Sequence, residues 1–309
     1  MTEVERIINK GVISEDFLKE EVQCDYLVTT ERKKMWAVLL DLLIEFDKVC
    51  KEHNLKYFMY SGTLLGVVRH HGFIPWDDDI DVIMSREDYE KMMTLGNCFQ
   101  QPYFLQTPYS DKESGYTFIK LRNSNTSAVN ELFRYQKFNQ GVWLSVFPLD
   151  EWDKEKGEEL YNKMRELNRE NATYMRATNP NLSQADIERV KNHSGKSLIE
   201  VYEEVQKIAQ TFKGSNSNYV SGIICTTPKY QRKVLFAEDF KEVKTIKCEG
   251  MEGFEAPVPV GYDRILTMQY GDYMALPPVE ERGMKHDGTI FDVDTPYKEF
   301  LKREWNINV

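Results

Sequence analysis

The stretch YFMYSGTLLGVVRHHGFIPWDDDIDVIM, Tyr57 to Met84, decides how this chain is read. Its pattern predicts strand, glycine turn, short helix, loop and strand. Tyr57 to Tyr60 is aromatic and apolar, as strands are, and Ser61-Gly62-Thr63 breaks the run. Thr63 to Val68 suits one or two helical turns. Arg69-His70-His71-Gly72 closes them, with basic residues where the helix dipole favours them. Phe73-Ile74-Pro75-Trp76 reads as loop, because proline resists helix and central strand alike. Asp77 to Met84 then passes from acid into an apolar strand.

Alternate residues of a strand share a face, so Asp79 and Asp81 point one way and Ile80 and Val82 the other. Carboxylates held close repel, and one of a pair tends to keep its proton. A divalent cation removes that conflict, and oxygen-only ligands suit Mg2+ or Mn2+. The Gly62 turn, with Ser61 and Thr63, offers backbone N–H groups to a phosphate at a helix start. Arg69 adds a positive charge whose fork matches phosphate geometry. A lone D-x-D is common among solvated turns; the surrounding string is far more specific. Together these residues point to phosphoryl or nucleotidyl transfer.

The string resembles the signature of the LicD family, a G-(T/S)-L-L-G-x-x-R-H-x-G-F-I-P-W-D-D-D-I-D-V run, here Gly62 to Val82. A second block, Tyr270-Gly271-Asp272-Tyr273-Met274-Ala275-Leu276-Pro277-Pro278, followed by Arg282 and His286, is similar to the family's Y-G-D-Y-M-x-L-P-P. The resemblance runs from about Gln23 to His286. It implies the nucleotidyltransferase fold, in which a G-S or G-T turn pairs with D-x-D on the next strand. It also implies transfer of phosphocholine from CDP-choline onto cell-surface glycans; fukutin-type ribitol-phosphate transferases are distant relatives. The family's I-K-L-R-x-S-x-T run corresponds to Ile119–Thr126 and makes Lys120 and Arg122 candidate phosphate ligands, although an exposed sheet edge would read the same. His70 of the R-H pair joins the candidate substrate residues. Arg282 and His286 are candidates for phosphate or acceptor binding, or form a structural clasp.

One position departs from the family. Val142 to Phe147 reads as a strand ending in Pro148-Leu149-Asp150, and Ser145 stands where many members carry a third carboxylate. Serine is a poor metal ligand and a poor base. Asp77, which shares parity with Asp79 and Asp81 if the strand starts early, is a candidate base or third ligand; Asp150 is another, or a turn residue.

At 309 residues with net charge −10, the chain is a poor match to nucleic acid, which needs a basic excess. Aromatic content, 17 Tyr and 16 Phe, argues against disorder. No apolar run approaches the roughly 18 residues of a membrane span, and acids appear early in MTEVERIINKG, unlike a signal peptide. The expectation is a cytoplasmic protein with at most peripheral membrane association. Five scattered cysteines without C-x-x-C spacing suit free thiols in a reducing compartment.

Along the chain, residues 1–28 read as an arm with a short helix around Ser14 to Val22. From Thr30, Trp36, Leu39, Leu43, Phe46 and Cys50 recur at helical spacing. Lys33, Lys34, Asp41, Glu45 and Lys48 mark the other, charged side. Ser85 to Asp88 reads as a capping box. Tyr103 to Thr107 and Tyr116 to Arg122 are expected strands, Glu151 to Thr178 and Leu182 to Phe212 helices, and Tyr219 to Thr227 and Lys244 to Cys248 strands. The expected fold is α/β (α+β): a mixed sheet flanked by helices. The expected parts are an arm (1–28), a catalytic core (29–150), a helical insertion (151–213), and a return to the core with a C-terminal clasp (214–309).

The function expected is metal-dependent transfer of a substituted phosphate from a CDP-activated donor to a hydroxyl of a cell-surface glycan, lipid-linked oligosaccharide or teichoic-acid precursor. Two alternatives stand: a nucleotidyltransferase releasing pyrophosphate, and a non-catalytic nucleotide-binding member.

Overall fold

A computed structural model describes the chain except residues 178, 181, 192–194, 223–229, 231–233, 285, 287 and 309. The fold is α/β. A long strand, Val142–Trp152, runs through the middle of a mixed sheet. It lies parallel to Ile80–Ser85 and antiparallel to Ile119–Asn123. Tyr57–Met59 extends the sheet beyond Ile80–Ser85, and Tyr103–Gln106 extends it beyond Ile119–Asn123. The expected end at Pro148 is overturned. Asp150 to Trp152 pair with Tyr219–Ser221, so the strand gains a new partner where its first one stops. Residues 223–227 of the strand expected over Tyr219 to Thr227, Cys225 among them, fall outside the described residues; the four described cysteines are free thiols.

Strand parity sorts the sheet into two faces. Ile80, Val82, Ile119, Leu121, Leu144 and Val146 are fully buried in the core. The helix Thr30–Glu52 packs there, N-capped by Thr29, with Trp36, Leu39, Leu43, Phe46 and Cys50 buried as their spacing predicts. The residues between them, Asp79, Asp81, Lys120, Arg122, Trp143, Ser145 and Phe147, line a cavity on the opposite face.

The charged side of that helix is largely covered. A helix over Glu3–Asn9, stabilised by a Thr2/Glu5 capping box, lies across it. Arg6 and Lys10 pair with Asp41, which is 0% exposed, and Lys10 also reaches Glu45 at 3.2 Å. The N-terminal segment is therefore part of the core, and residues 15–18 form only a 3-10 turn before a hairpin, Glu21–Gln23 with Tyr26–Val28. Charge pattern alone could not distinguish carboxylates awaiting partners from carboxylates in water.

After Trp152 the helices are Gly157–Arg176, Gln184–Lys191 and Leu198–Ala209. The first starts later than its charge pattern suggests, because residues 150–152 are strand and Asp153 accepts from the N–H groups of Glu155 and Lys156. Trp152, Tyr161, Met164, Val201 and Val205 form a second apolar cluster joining these helices to the end of the long strand. Val243–Cys248 pairs with Phe254–Pro259, and the helix Tyr262–Tyr270 leads into the C-terminal segment. Among the described residues no helix is long and apolar enough to cross a membrane.

Candidate active site

The cavity, of about 1000 Å3, opens between the sheet face and the segment 270–289. Its floor follows from register. Asp81, Ser145 and Lys120 are direct partners on three adjacent strands, so one row across the sheet reads carboxylate, hydroxyl, ammonium.

The helix over Ser61–His70 is three turns long, longer than predicted, and its N-terminus meets the acids. Ser61 has φ 52°, a conformation unusual outside glycine. Gly62 is required by close approach: a Cβ there would lie 2.8 Å from Asp77 Oδ2. At the other end His71 is left-handed, and Gly72 packs so near Gly250 that a Cβ would lie 2.9 Å from its Cα. Thr63 Oγ1 accepts from the Asp81 N–H at 2.8 Å, fixing the acid strand to the helix. The backbone of Asp77 is held from behind, its carbonyl accepting from Arg32 Nη1 at 2.9 Å and from Trp36 Nε1 at 3.5 Å. Asp77 is not on the strand, which begins at Ile80, yet its carboxylate enters the same cavity.

Burial, then the Asp79 and Asp78 carboxylates, push Asp77 up to about 8. Burial, then Asp81, also raise Asp79. Such crowding of acids fits a site that takes a cation.

Asp78, which sequence reasoning passed over, is 1% exposed and faces the C-terminal segment. His286 Nδ1 lies 2.7 Å from its Oδ1, and the His286 N–H donates to its Oδ2 at 3.3 Å. His286 Nε2 is 3.7 Å from Asp79 Oδ2. Asp78, Asp79 and His286 thus form a candidate metal-holding group among the described residues. Burial opposes the charged imidazolium, but the Asp78 hydrogen bond and Asp79 outweigh it and raise the His286 pKa. Asp78 was hidden by parity: it points away from Asp79 and Asp81 in a strand, but here it precedes the strand.

Of the candidates read from sequence, Ser61, Gly62, Arg69, Asp77, Asp79, Asp81, Lys120, Arg122 and His286 line the cavity. Thr63, His70 and Arg282 do not. His70 accepts from Arg69 Nε at 2.9 Å, and burial followed by Arg69 hold it down to about 4, hence neutral. Arg282 donates to the Pro277 and Cys24 carbonyls and stacks over Trp76, a clasp rather than a phosphate ligand. Arg69 donates to the Tyr273 and Ala275 carbonyls at 2.9 and 3.1 Å, so part of its fork fastens the same segment. Arg122 is 1% exposed and donates to Gln106 and the Gly141 carbonyl. Asp150 is removed as a substitute acid: it is buried in a two-point pair with Arg86 at 2.7 and 2.6 Å.

Lys120 is held differently. Its ammonium lies 3.8 Å from the Tyr116 ring centroid and 4.1 Å from that of Trp143. The cavity therefore joins an acidic end to an aromatic wall whose faces hold the Lys120 ammonium.

Residues 54–175 match the family model described as LicD/FKTN/FKRP, nucleotidyltransferase domain. The chain is 25% identical over 267 residues to the lipopolysaccharide cholinephosphotransferase LicD of Haemophilus influenzae, covering 82% of this chain and 95% of that protein. Shorter similarities reach two uncharacterised proteins. One, of Rickettsia prowazekii, is 40% identical over 63 residues (20% of this chain, 24% of that protein). The other, of Rickettsia typhi, is 46% identical over 50 residues (16% of each).

Proposed function

Since the chain belongs to the LicD family and is a LicD-type phosphotransferase, we propose that it moves phosphocholine from CDP-choline to a hydroxyl of a cell-surface glycan or its lipid-linked precursor. The observation that carries this reading is the union, in one cavity, of the Asp79/Asp81 acids with the Ser61–Gly62 helix start and the Lys120 ammonium. The acids suit a divalent cation on a diphosphate, and the helix start and Lys120 suit its phosphate oxygens. The similarity to a cholinephosphotransferase acting on lipopolysaccharide supports the choice of group and acceptor.

Asp79 and Asp81 would hold Mg2+ or Mn2+, which supplies neutralisation of the charge on the transferring phosphorus and on the leaving CMP. The chain's own residues do the positioning. Ser61 and Gly62 present a helix N-terminus to phosphate oxygens. Lys120, fixed between two rings, sets a positive charge beside Ser145 and Asp81. Asp77, in the cavity against Gly62, accepts the proton of the incoming hydroxyl as its oxygen bonds to phosphorus and the bond to CMP breaks.

The test is product analysis with CDP-choline, CDP-ribitol and CDP-glycerol, preceded by a screen for cation-dependent protection against thermal unfolding. CMP release with choline incorporated into the acceptor is expected. Pyrophosphate release from a nucleoside triphosphate would assign nucleotidyl transfer instead, and donor binding without turnover would assign a non-catalytic role.

A further inference from the structure

The sheet position that would supply a third acid is occupied by Ser145, and Asp150 is consumed by Arg86. The cavity nevertheless receives one more donor from far along the chain. Asp78 is buried and spends both oxygens on His286, one on the ring Nδ1 and one on the backbone N–H. A carboxylate that accepts from Nδ1–H fixes the tautomer and leaves the Nε2 lone pair outward. Trp143 packs edge-on to the imidazole, with ring centroids 5.0 Å apart, and sets its plane. Nε2 then sits 3.7 Å from Asp79 Oδ2. That is long for a hydrogen bond but suits neighbouring ligands, since two donors each about 2.1 Å from one ion lie roughly 3–4 Å apart.

Resting on the cation reading above, we propose that His286 Nε2 is a ligand of the same ion as Asp79, oriented by Asp78, and supplies the donor that Ser145 does not. Asp78 is then a positioning residue. The C-terminal segment becomes part of the site, because Arg69 fastens it at Tyr273 and Ala275 and its own Arg282 fastens it to the Cys24 carbonyl. A nitrogen donor among carboxylates also shifts preference from Mg2+ toward a transition ion such as Mn2+.

The experiment uses the full chain and Mn2+ as the probe. Pulsed electron paramagnetic resonance of the bound ion is expected to show nitrogen modulation from a coordinated imidazole in the wild type. His286→Ala is expected to abolish it and weaken Mn2+ binding by at least about tenfold, and Asp78→Asn to weaken binding about tenfold or more, the usual scale for an outer partner. Asp79→Asn should lose the bound ion, which locates it. Ion binding that depends on Asp79 but shows no nitrogen modulation overturns this proposal and leaves the cation reading standing. Failure of the wild type to bind Mn2+ or Mg2+ at all overturns both. The spectrum of the wild-type protein decides the matter even if a variant fails to fold.

Discussion

Asp79, one residue before the strand Ile80–Ser85, and Asp81 on it face one cavity, with Asp81 seated beside Ser145 and Lys120. Asp79→Asn and Asp81→Asn are each expected to lower CMP release at least about a hundredfold, the scale of removing one major electrostatic group. Both variants should stay folded by circular dichroism, since each relieves repulsion. Undiminished turnover in both would refute the cation reading. Asp77 carries a pH signature. Its folded carboxyl is raised to about 8 by burial and by Asp79 and Asp78, against an ordinary value of 3.8. The folded state therefore holds a proton that the unfolded state has released, and the stability this contributes is full below about 4 and lost as pH rises to about 8. His70, held down to about 4, works in the opposite sense below its ordinary 6.5. The diagnostic is thus the difference between proteins: without a divalent ion, the melting temperature of wild type relative to Asp77→Asn should fall steadily from pH 5 to 8. A flat difference would mean that Asp77 is ionised throughout.

The segment after Tyr270 is held against the elements beneath it. Arg69, at the end of the Ser61–His70 helix, gives two hydrogen bonds to its carbonyls, and Ser61 Oγ meets the Tyr270 hydroxyl at 3.4 Å. Arg69→Lys keeps the charge but loses the planar fork, and hydrogen bonds from charged groups contribute about 1.5–3 kcal/mol. We expect faster amide exchange across residues 270–284 together with reduced turnover. Wild-type exchange with reduced turnover would instead give Arg69 a direct role on phosphate. The apolar run Thr63 to Val68 and the basic residues after it made a short helix visible here; the carbonyls that claim the arginine lie more than 200 residues away and leave no local pattern.

Across the whole molecule, the Arg86–Asp150 pair joins three regions. Arg86 begins the helix Arg86–Met93, Asp150 lies late in the long strand, and Gln206 on the Leu198–Ala209 helix accepts from Arg86 Nη1 at 2.7 Å. Removing one partner of a buried ion pair costs about 3–5 kcal/mol. Asp150→Asn should therefore lower the urea midpoint markedly while turnover per folded molecule stays near wild type. A stable but inactive variant would return Asp150 to the chemistry.

The sequence by itself determined the mixed α/β plan, the buried stripe of the Thr30–Glu52 helix, the Ser85 cap and the strand parity that sends Asp79 and Asp81 to one face. These are decided within a few residues, by backbone period and capping chemistry. Only the tertiary structure decided which charges have partners: Asp41 under Arg6 and Lys10, Asp150 on Arg86, Arg122 on Gln106, and Asp78 on a histidine 208 residues away. A charged side chain reads the same in a sequence whether it meets water or a buried counter-charge. The difference lies in desolvation, which exists only once distant segments have closed over it.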